Sequence, residues 1–436
     1  MSQFVHELDE YSWYAKKITD RNGNQATVTY ANDNSPEITR VTTSDGRSLT
    51  FTYADSGTLS HRITSITGAP GQTYEYYYRS VPGILGAYYL LAVRRPDGSG
   101  GWGYLYNDLL SDPLAGSYHL KTVYHPHGGV VNYGYSYVNF DPQGTPGPSG
   151  RSVVVSNKSV RWVTEQAAVN WSYAYSPGGS EQYDTTTVTS PYATTVYRHI
   201  GPNYHSSGLG TVWMVGLLME KQVGSSQVET YTWDKQQLSS EVNFRPGLFI
   251  SKFDLAFYAP VMTGKQISRE GATYRTTYDR FDDYGNPAMV AEFGPHGGTR
   301  TKTFTYHIDP AKWIIHQVQN ETTWVPNASY PDQSIQVGSI SRAFDSRGNL
   351  TESTTNGVTT QYAYDSEGNV SSTTFPRGLT HTYGNYKRGI PQSESQPEGI
   401  TIERQVSAAG NVTYARNGEG HATRYGYDGL NRLTSI

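Results

Sequence analysis

A chain of 436 residues with a formal net charge of −4 and no cysteine excludes disulfide frameworks, thiolate metal sites and thiol nucleophiles. Without a basic run, it also disfavours nucleic-acid binding through a positive face. Hydrophobic residues are only 36% and charged residues 17%, while 37 tyrosines and 45 glycines are present, so burial must lean on phenol rings and the backbone on many tight turns between short strands.

The start, MSQFVHELDE, has no basic region ahead of an apolar core and is not a secretory signal. Helical periodicity is weak throughout, with residues 4–17 and 248–259 the only candidates. Residues 19–25, TDRNGNQ, introduce a turn frame of Asp followed by Gly-Asn. The apolar stretches at 84–93 and 212–219 fall short of the roughly 20 residues that cross a bilayer, so the reading is of a soluble protein. A second turn family, Pro-x-Gly, begins at 96–98 and returns at 126–128, 295–297, 376–378 and 397–399. Strands with spaced aromatics follow several of these, as at 101–106, 131–137 and 302–307. Proline fixes φ and cannot donate to a ladder, which places it at a junction between strands.

His119, His125 and His127 lie close in sequence, but HPHG occupies the same frame as the other Pro-x-Gly turns, and the group is read as a turn with solvated imidazoles. Residues 141–150, DPQGTPGPSG, are a loop, and from 141 to about 270 the turn frames disappear while strand-like runs such as 152–156 and 185–190 persist. Insertion and worn continuation of the same sheet both remain open for this section. The chain thus divides into 1–140, 141–270 and 271–436.

The last section restores the frame as FDDYGNP at 281–287, AFDSRGNLT at 343–351, AYDSEGNVS at 363–371, VSAAGNV at 406–412 and YDGLNRL at 427–433. Asp282, Asp345, Asp365 and Asp428 stand where a carboxylate accepts amides from the turn it opens. Gly285, Gly348 and Gly368 supply a positive φ, with Asn431 in that place in the last copy; Asn286, Asn349 and Asn369 follow, and Tyr427 leads Asp428. The 20-residue offset between 343 and 363 predicts two strands and two turns, returning the chain to the same edge.

No G-x-S-x-G, H-E-x-x-H or phosphate-binding glycine loop occurs. Asp282 and Asp283 are adjacent and would point to opposite faces of a strand, poor geometry for acid–base work. The DRNGN and FDDYGN strings lack the bidentate Glu and flanking helices of a calcium loop. No catalytic residue, cofactor or metal site is assigned. The Tyr rows pack against cross-strand neighbours; in the alternative reading they form a carbohydrate- or protein-binding adhesin surface.

The Tyr-Asp frames at 364–370 and 427–433, with the Tyr-rich strands before them, resemble the RHS/YD repeats of bacterial polymorphic toxins, of the C components of insecticidal toxin complexes and of teneurins. The resemblance covers about 1–140 and 271–436. It implies an all-β fold, a long antiparallel sheet wound into a spiral or hollow shell around a cargo or toxin domain C-terminal to the repeats. This chain is then a non-catalytic fragment of such a shell, its partners being that cargo and further repeats. It would be made in a bacterial cytoplasm and delivered outside the cell without a Sec signal. The family's self-cleaving aspartates follow the last repeat and have no counterpart here, and a strand opening at Arg432 is expected to pair with a continuation.

Overall fold

The computed structural model describes residues 14–33, 35–54, 61–68, 71–81, 86–107, 119–140, 151–163, 166–204, 213–239, 257–330 and 332–436. The loop expected at 141–150 lies outside them, as does most of both helical candidates. What is described of the candidates is not helical: Lys17 opens the strand Lys17–Thr19, and residues 257–259 open the strand Phe257–Arg269. Among the described residues there is no α-helix, only short 3-10 turns such as Pro310–Lys312, Pro376–Gly378 and Pro397–Gly399.

The fold is all-β: a 30-stranded sheet in which every described pairing is antiparallel and joins strands consecutive in sequence. Sequences such as VTTQYAY, the strand Val358–Tyr364, explain why. β-branched and aromatic residues fit a pleated surface, and two-residue periodicity sets one face against its neighbours. The middle section follows the same rule. Arg151–Arg161 pairs with Val130–Asn139 before it and Val169–Ser176 after it, and Phe257–Arg269 links Gln227–Ser239 to Ala272–Phe281.

Packing divides the chain into two compact units. One comprises Met1–Trp102, Asp345–Asn349 and Thr360–Ile436; its buried apolar residues include Val81, Val93 and Val406. The other comprises Gly103–Phe344 and Leu350–Thr359, with Val130, Val160, Ile200 and Ile314 buried. Most other described side chains are only half-buried, so cover comes chiefly from cross-strand neighbours, as the sparse Leu and Ile content requires. The strand expected from Arg432 runs Leu433–Ser435, and its partner is the strand just before it, Gly426–Tyr427, in a separate two-stranded ladder.

Candidate functional site

The repeated frames become closed turns with one wiring. In residues 365–369 the Asp365 amide donates to the Asn369 carbonyl (2.9 Å), and the Gly368 amide donates back to the Asp365 carbonyl (3.2 Å). The Asp365 carboxylate then accepts at one oxygen from the amides of Glu367 (3.0 Å) and Asn369 (2.8 Å), and at the other from the Asn369 side-chain amide (2.9 Å). Asp345 binds Arg347 and Asn349 in the same way, Asp282 binds Tyr284 and Asn286, and Asp20 binds Asn22 and Asn24. Gly285, Gly348 and Gly368 hold φ of 81°, 79° and 87°, and Asn431 holds 62°. Each is a type I turn followed by a left-handed residue, a form that glycine adopts without strain.

The last copy changes one part. Asp428 accepts the amides of Leu430 and Arg432 at 2.9 Å, but the role of the Asn side chain passes to the Arg432 guanidinium at 2.6 Å. In the worn copy at 406–412 the Ser407 hydroxyl accepts the Asn411 amide in place of a carboxylate. Residues 417–421, NGEGH, close by the same wiring, with Asn417 accepting the amides of Glu419 and His421. The sequence reading passed over this copy because an amide oxygen replaces the carboxylate and Gly-His replaces Gly-Asn.

The Pro-x-Gly turns share the outer hydrogen bonds. Phe375 N–H donates to the Leu379 carbonyl and Gly378 N–H to the Phe375 carbonyl; His125 to Gly129 and Gly128 to His125 repeat the pattern. Two of them differ from the Asp turns inside: Arg377 (φ 76°) and Glu398 (φ 68°) join their following glycines in the left-handed region, whereas at 96–98, 126–128 and 295–297 only the glycine is left-handed. Two turn families in sequence thus share one closure, with a second interior in two copies. His125 and His127 sit in such a turn with ring centres 5.4 Å apart; among the described residues no group of three or more His, Asp or Glu side chains could hold a metal. Asp282 and Asp283 both lie in the turn after Phe281 rather than on a strand, because Asp282 is the carboxylate that closes it.

Turns also bind each other. The Arg347 guanidinium donates to the Ser366 carbonyl at 2.9 Å, which brings the 345–349 and 365–369 turns to the same end of their strands. The turn at 20–24 docks on both: the Asn349 side chain donates to Asn22 Oδ1 (3.1 Å), and the Asn24 side chain donates to the Glu367 carbonyl (2.8 Å). Further along, Arg388 donates to the Asp45 carbonyl (2.7 Å), pairs with its carboxylate (3.2 Å) and reaches the Ala408 carbonyl (3.0 Å). Arg432 lies 3.6 Å from the Asp97 carboxylate, and Gln72 donates to the Gly429 carbonyl. Successive N-terminal turns therefore meet successive C-terminal turns. In the other unit Asn286 donates to the Ile315 carbonyl (2.6 Å), and His316 Nδ1 faces Asn286 Oδ1. Asn286 and Asn349 are 5% and 4% exposed, which a polar amide tolerates only with its hydrogen bonds made.

Electrostatics follow this wiring. Burial opposes charge on Asp345 and Asp365, but the Asn349 and Asn369 donors outweigh it and hold both carboxyls below their ordinary value. At Asp45 burial is again overcome, here by the Thr43 hydroxyl and the Arg47 and Arg388 guanidiniums, and its carboxyl sits well below the usual range.

A second device sits at bulges in the strands. A β-bulge falls at or beside an aromatic, between Thr52 and Tyr53, Tyr77 and Tyr78, Gly134 and Tyr135, Thr232 and Trp233, Thr305 and Tyr306, Ala363 and Tyr364, and Gly426 and Tyr427. The bulge turns the ring along the sheet, and its polar tip caps a carbonyl at the start of the preceding strand. Tyr53 donates to Ile38 O (3.1 Å), Tyr78 to Ile63 O (2.9 Å), Trp233 Nε1 to Leu218 O (2.9 Å) and Tyr427 to Val412 O (2.9 Å), each 15 residues back. Burial pushes the Tyr53, Tyr78 and Tyr135 phenols up, so they remain hydrogen-bond donors. The recurrence of an aromatic just before the turn carried this signal; the alternation rule saw only a strand end.

The match to known proteins falls where both devices are complete. Residues 344–380 match an RHS repeat under the RHS Repeat family model. Among solved structures, a crystal structure of TcdB2-TccC3-Cdc42 is 12% identical with a TM-score of 0.37, covering 95% of this chain and 24% of that one. A Photorhabdus luminescens Tc holotoxin pore with mutated TccC3 is 11% identical with a TM-score of 0.35, at 95% and 24% coverage. The chain spans about a quarter of the length of the chains it matches. No curated protein matches it. No helix of the described residues is long and apolar enough to cross a membrane.

Proposed function

We propose that this RHS-repeat chain is a non-catalytic section of wall, part of a shell whose work is to enclose another polypeptide of the same gene product. The single observation that supports the reading most is the turn-to-turn bonding of remote segments, Asn24 to Glu367 and Arg388 to Asp45. A wall needs its successive passes fastened to one another, and these bonds fasten turns 343 residues apart in sequence. Carboxylates serve as turn closures, and the tyrosine tips serve as strand-end caps. Those groups do mechanical work in the ground state of the fold. A wall that isolates a chain from solvent and proteases gains from hydrogen-bonded seams, because opening one exposes several polar groups at once.

Limited proteolysis of the full-length gene product tests this. The polypeptide beyond the repeats should resist a protease that digests it when produced alone, and Arg388→Ala with Asn24→Ala, which loosen the seam, should restore cleavage. Digestion as fast in the intact product as in the isolated segment would refute containment.

A further inference from the structure

With no cysteine in 436 residues, this chain can form no disulfide, and a covalent tie between its hairpins needs another side chain. Tyrosine, present 37 times, is an abundant one that gives up an electron. Several of these phenols already cap carbonyls, as Tyr53, Tyr78 and Tyr427 do. Tyr183 and Tyr204 are placed differently. Their rings stack with centres 5.2 Å apart and planes within 7° of parallel. Tyr14 and Tyr30, at 5.5 Å, are tilted by 41°.

The fold holds both rings from the backbone. Tyr183 stands just before the strand Asp184–Thr189, and Tyr204 closes the turn after its partner strand Thr194–His199. The two strands pair along their whole length, from Asp184 opposite His199 to Thr189 opposite Thr194. The Glu181 amide donates to the Tyr204 carbonyl (2.9 Å), and the Tyr204 amide donates to the Gly201 carbonyl (3.2 Å). Beside them the Gly178 amide donates to the Asp184 carboxylate (2.7 Å), and Ile200 is buried. Burial first, and then a hydrogen bond with the Tyr204 hydroxyl, push the Tyr183 phenol up. Hydroxyls that meet bring the oxygen-bearing ends of two rings together, and the ortho carbons flank those ends. Both residues are only half-buried, so a small oxidant reaches them.

We propose that Tyr183 and Tyr204 are a modification site, joined ring to ring as dityrosine by a one-electron oxidant and so forming a covalent staple. Each phenol gives one electron to the oxidant and one proton to solvent. The two phenoxyl radicals then bond through their ortho carbons. The hydrogen on each of those carbons moves as a proton to its own ring oxygen, which restores both aromatic rings. The linked pair has lost two hydrogen atoms in all; where a peroxidase supplies the oxidant, one hydrogen peroxide takes up both electrons and both protons and leaves as two waters. Stacking makes the coupling an encounter between groups already in place, which favours it over coupling between chains. The product closes a covalent loop around the hairpin Asp184–His199 and restricts the unfolded chain as a disulfide does. The proposal is independent of the wall reading.

Brief illumination of the dilute whole chain with ruthenium tris(bipyridine) and persulfate, then tryptic mass spectrometry, tests it. The peptide carrying Tyr183 should appear joined to the one carrying Tyr204, two hydrogen atoms lighter than their sum, in higher yield than any link between Tyr14 and Tyr30. The yield should fall at least about tenfold when the chain is oxidised unfolded in urea, where the stack is lost. Tyr204→Phe and Tyr183→Phe should each abolish the product while keeping a ring in the stack, and before oxidation each should melt close to the parent. Either variant serves if the other fails to fold. The oxidised parent should melt a few degrees higher than before, and the oxidised variants should lack that gain. No Tyr183–Tyr204 link, an equal yield from the unfolded chain, a preference of Tyr183 for another tyrosine, or a linked chain that melts no higher would each overturn the staple.

Discussion

The section from 344 to 436 and the section from 151 to 239 use one strand-end device under different letters. In the first, Tyr427 at a bulge caps Val412 and is followed by the Asp428 turn. In the second, the turn frame is gone, yet Trp233 sits at the same kind of bulge and caps Leu218 over the same 15-residue interval. The middle section keeps the capped carbonyl and gives up the carboxylate turn. The physical unit of this repeat is therefore the aromatic donor at the bulge. The Asp-x-x-Gly-Asn string is one way of closing the turn beside it.

The largest effect should come where a turn admits no substitute. Gly368 has φ +87°, and a Cβ there would lie 2.3 Å from the Asn22 side-chain nitrogen. Gly368→Val should cost about 2–4 kcal/mol from backbone strain and overpacking, while Ser366→Ala should stay within about 0.5 kcal/mol. Equal thermal midpoints for the two variants would show that the C-terminal turns are as dispensable as the lost ones in the middle.

Acid separates the sections next. In the middle section, Glu229 is buried and bonded to Lys265 (2.8 Å), Lys221 (3.2 Å), Gln227 (2.9 Å) and Tyr231 (2.7 Å). The Lys265 ammonium above all, against the opposing cost of burial, holds its carboxyl down to about 2 from the ordinary 4.5. A folded value below the unfolded one stabilises the fold above pH 4.5, and that contribution is lost as pH falls through about 2. Glu229→Gln should therefore cost about 2–3 kcal/mol at neutral pH and progressively less in acid. Asp345 and Asp365, also depressed, act with the same sign in the C-terminal section. Denaturant titrations at several pH values check it; a Glu229→Gln deficit that does not shrink in acid would remove the charge from the explanation.

The comparison itself is tested by deleting single donors. Tyr427→Phe and Tyr53→Phe should each cost about 1 kcal/mol by stranding a carbonyl, and Trp233→Phe somewhat more because ring area is lost as well. If Trp233→Phe proves silent in chemical denaturation while the tyrosine variants do not, the middle section does not share the device. The smallest change is expected at Asn431, whose φ of 62° glycine adopts freely but whose side chain accepts from Asn411 at 2.8 Å. Gain and loss nearly cancel, and Asn431→Gly should shift stability by no more than about 0.5 kcal/mol.

Local chemistry was legible in the sequence because it is local. Asp282, Asp345 and Asp365 reach amides two and four residues on, Gly285, Gly348 and Gly368 carry the positive φ, and the 20-residue offset between 343 and 363 counts out two strands and two turns. All of this lies within one hairpin, where spacing along the chain fixes spacing in space. The Asn417 turn escaped because a different atom makes the same bond. Which turns meet, Asn22 with Asn349 or Asp45 with Arg388, has no signature in any window of sequence, since it depends on how many strands intervene and how the ladder between them twists. The pairing of Ala272–Phe281 with Pro287–Phe293, which begins only at Arg275 opposite Phe293, is of the same kind: that one hairpin stops short of its neighbour is a difference of register that only the assembled sheet decides.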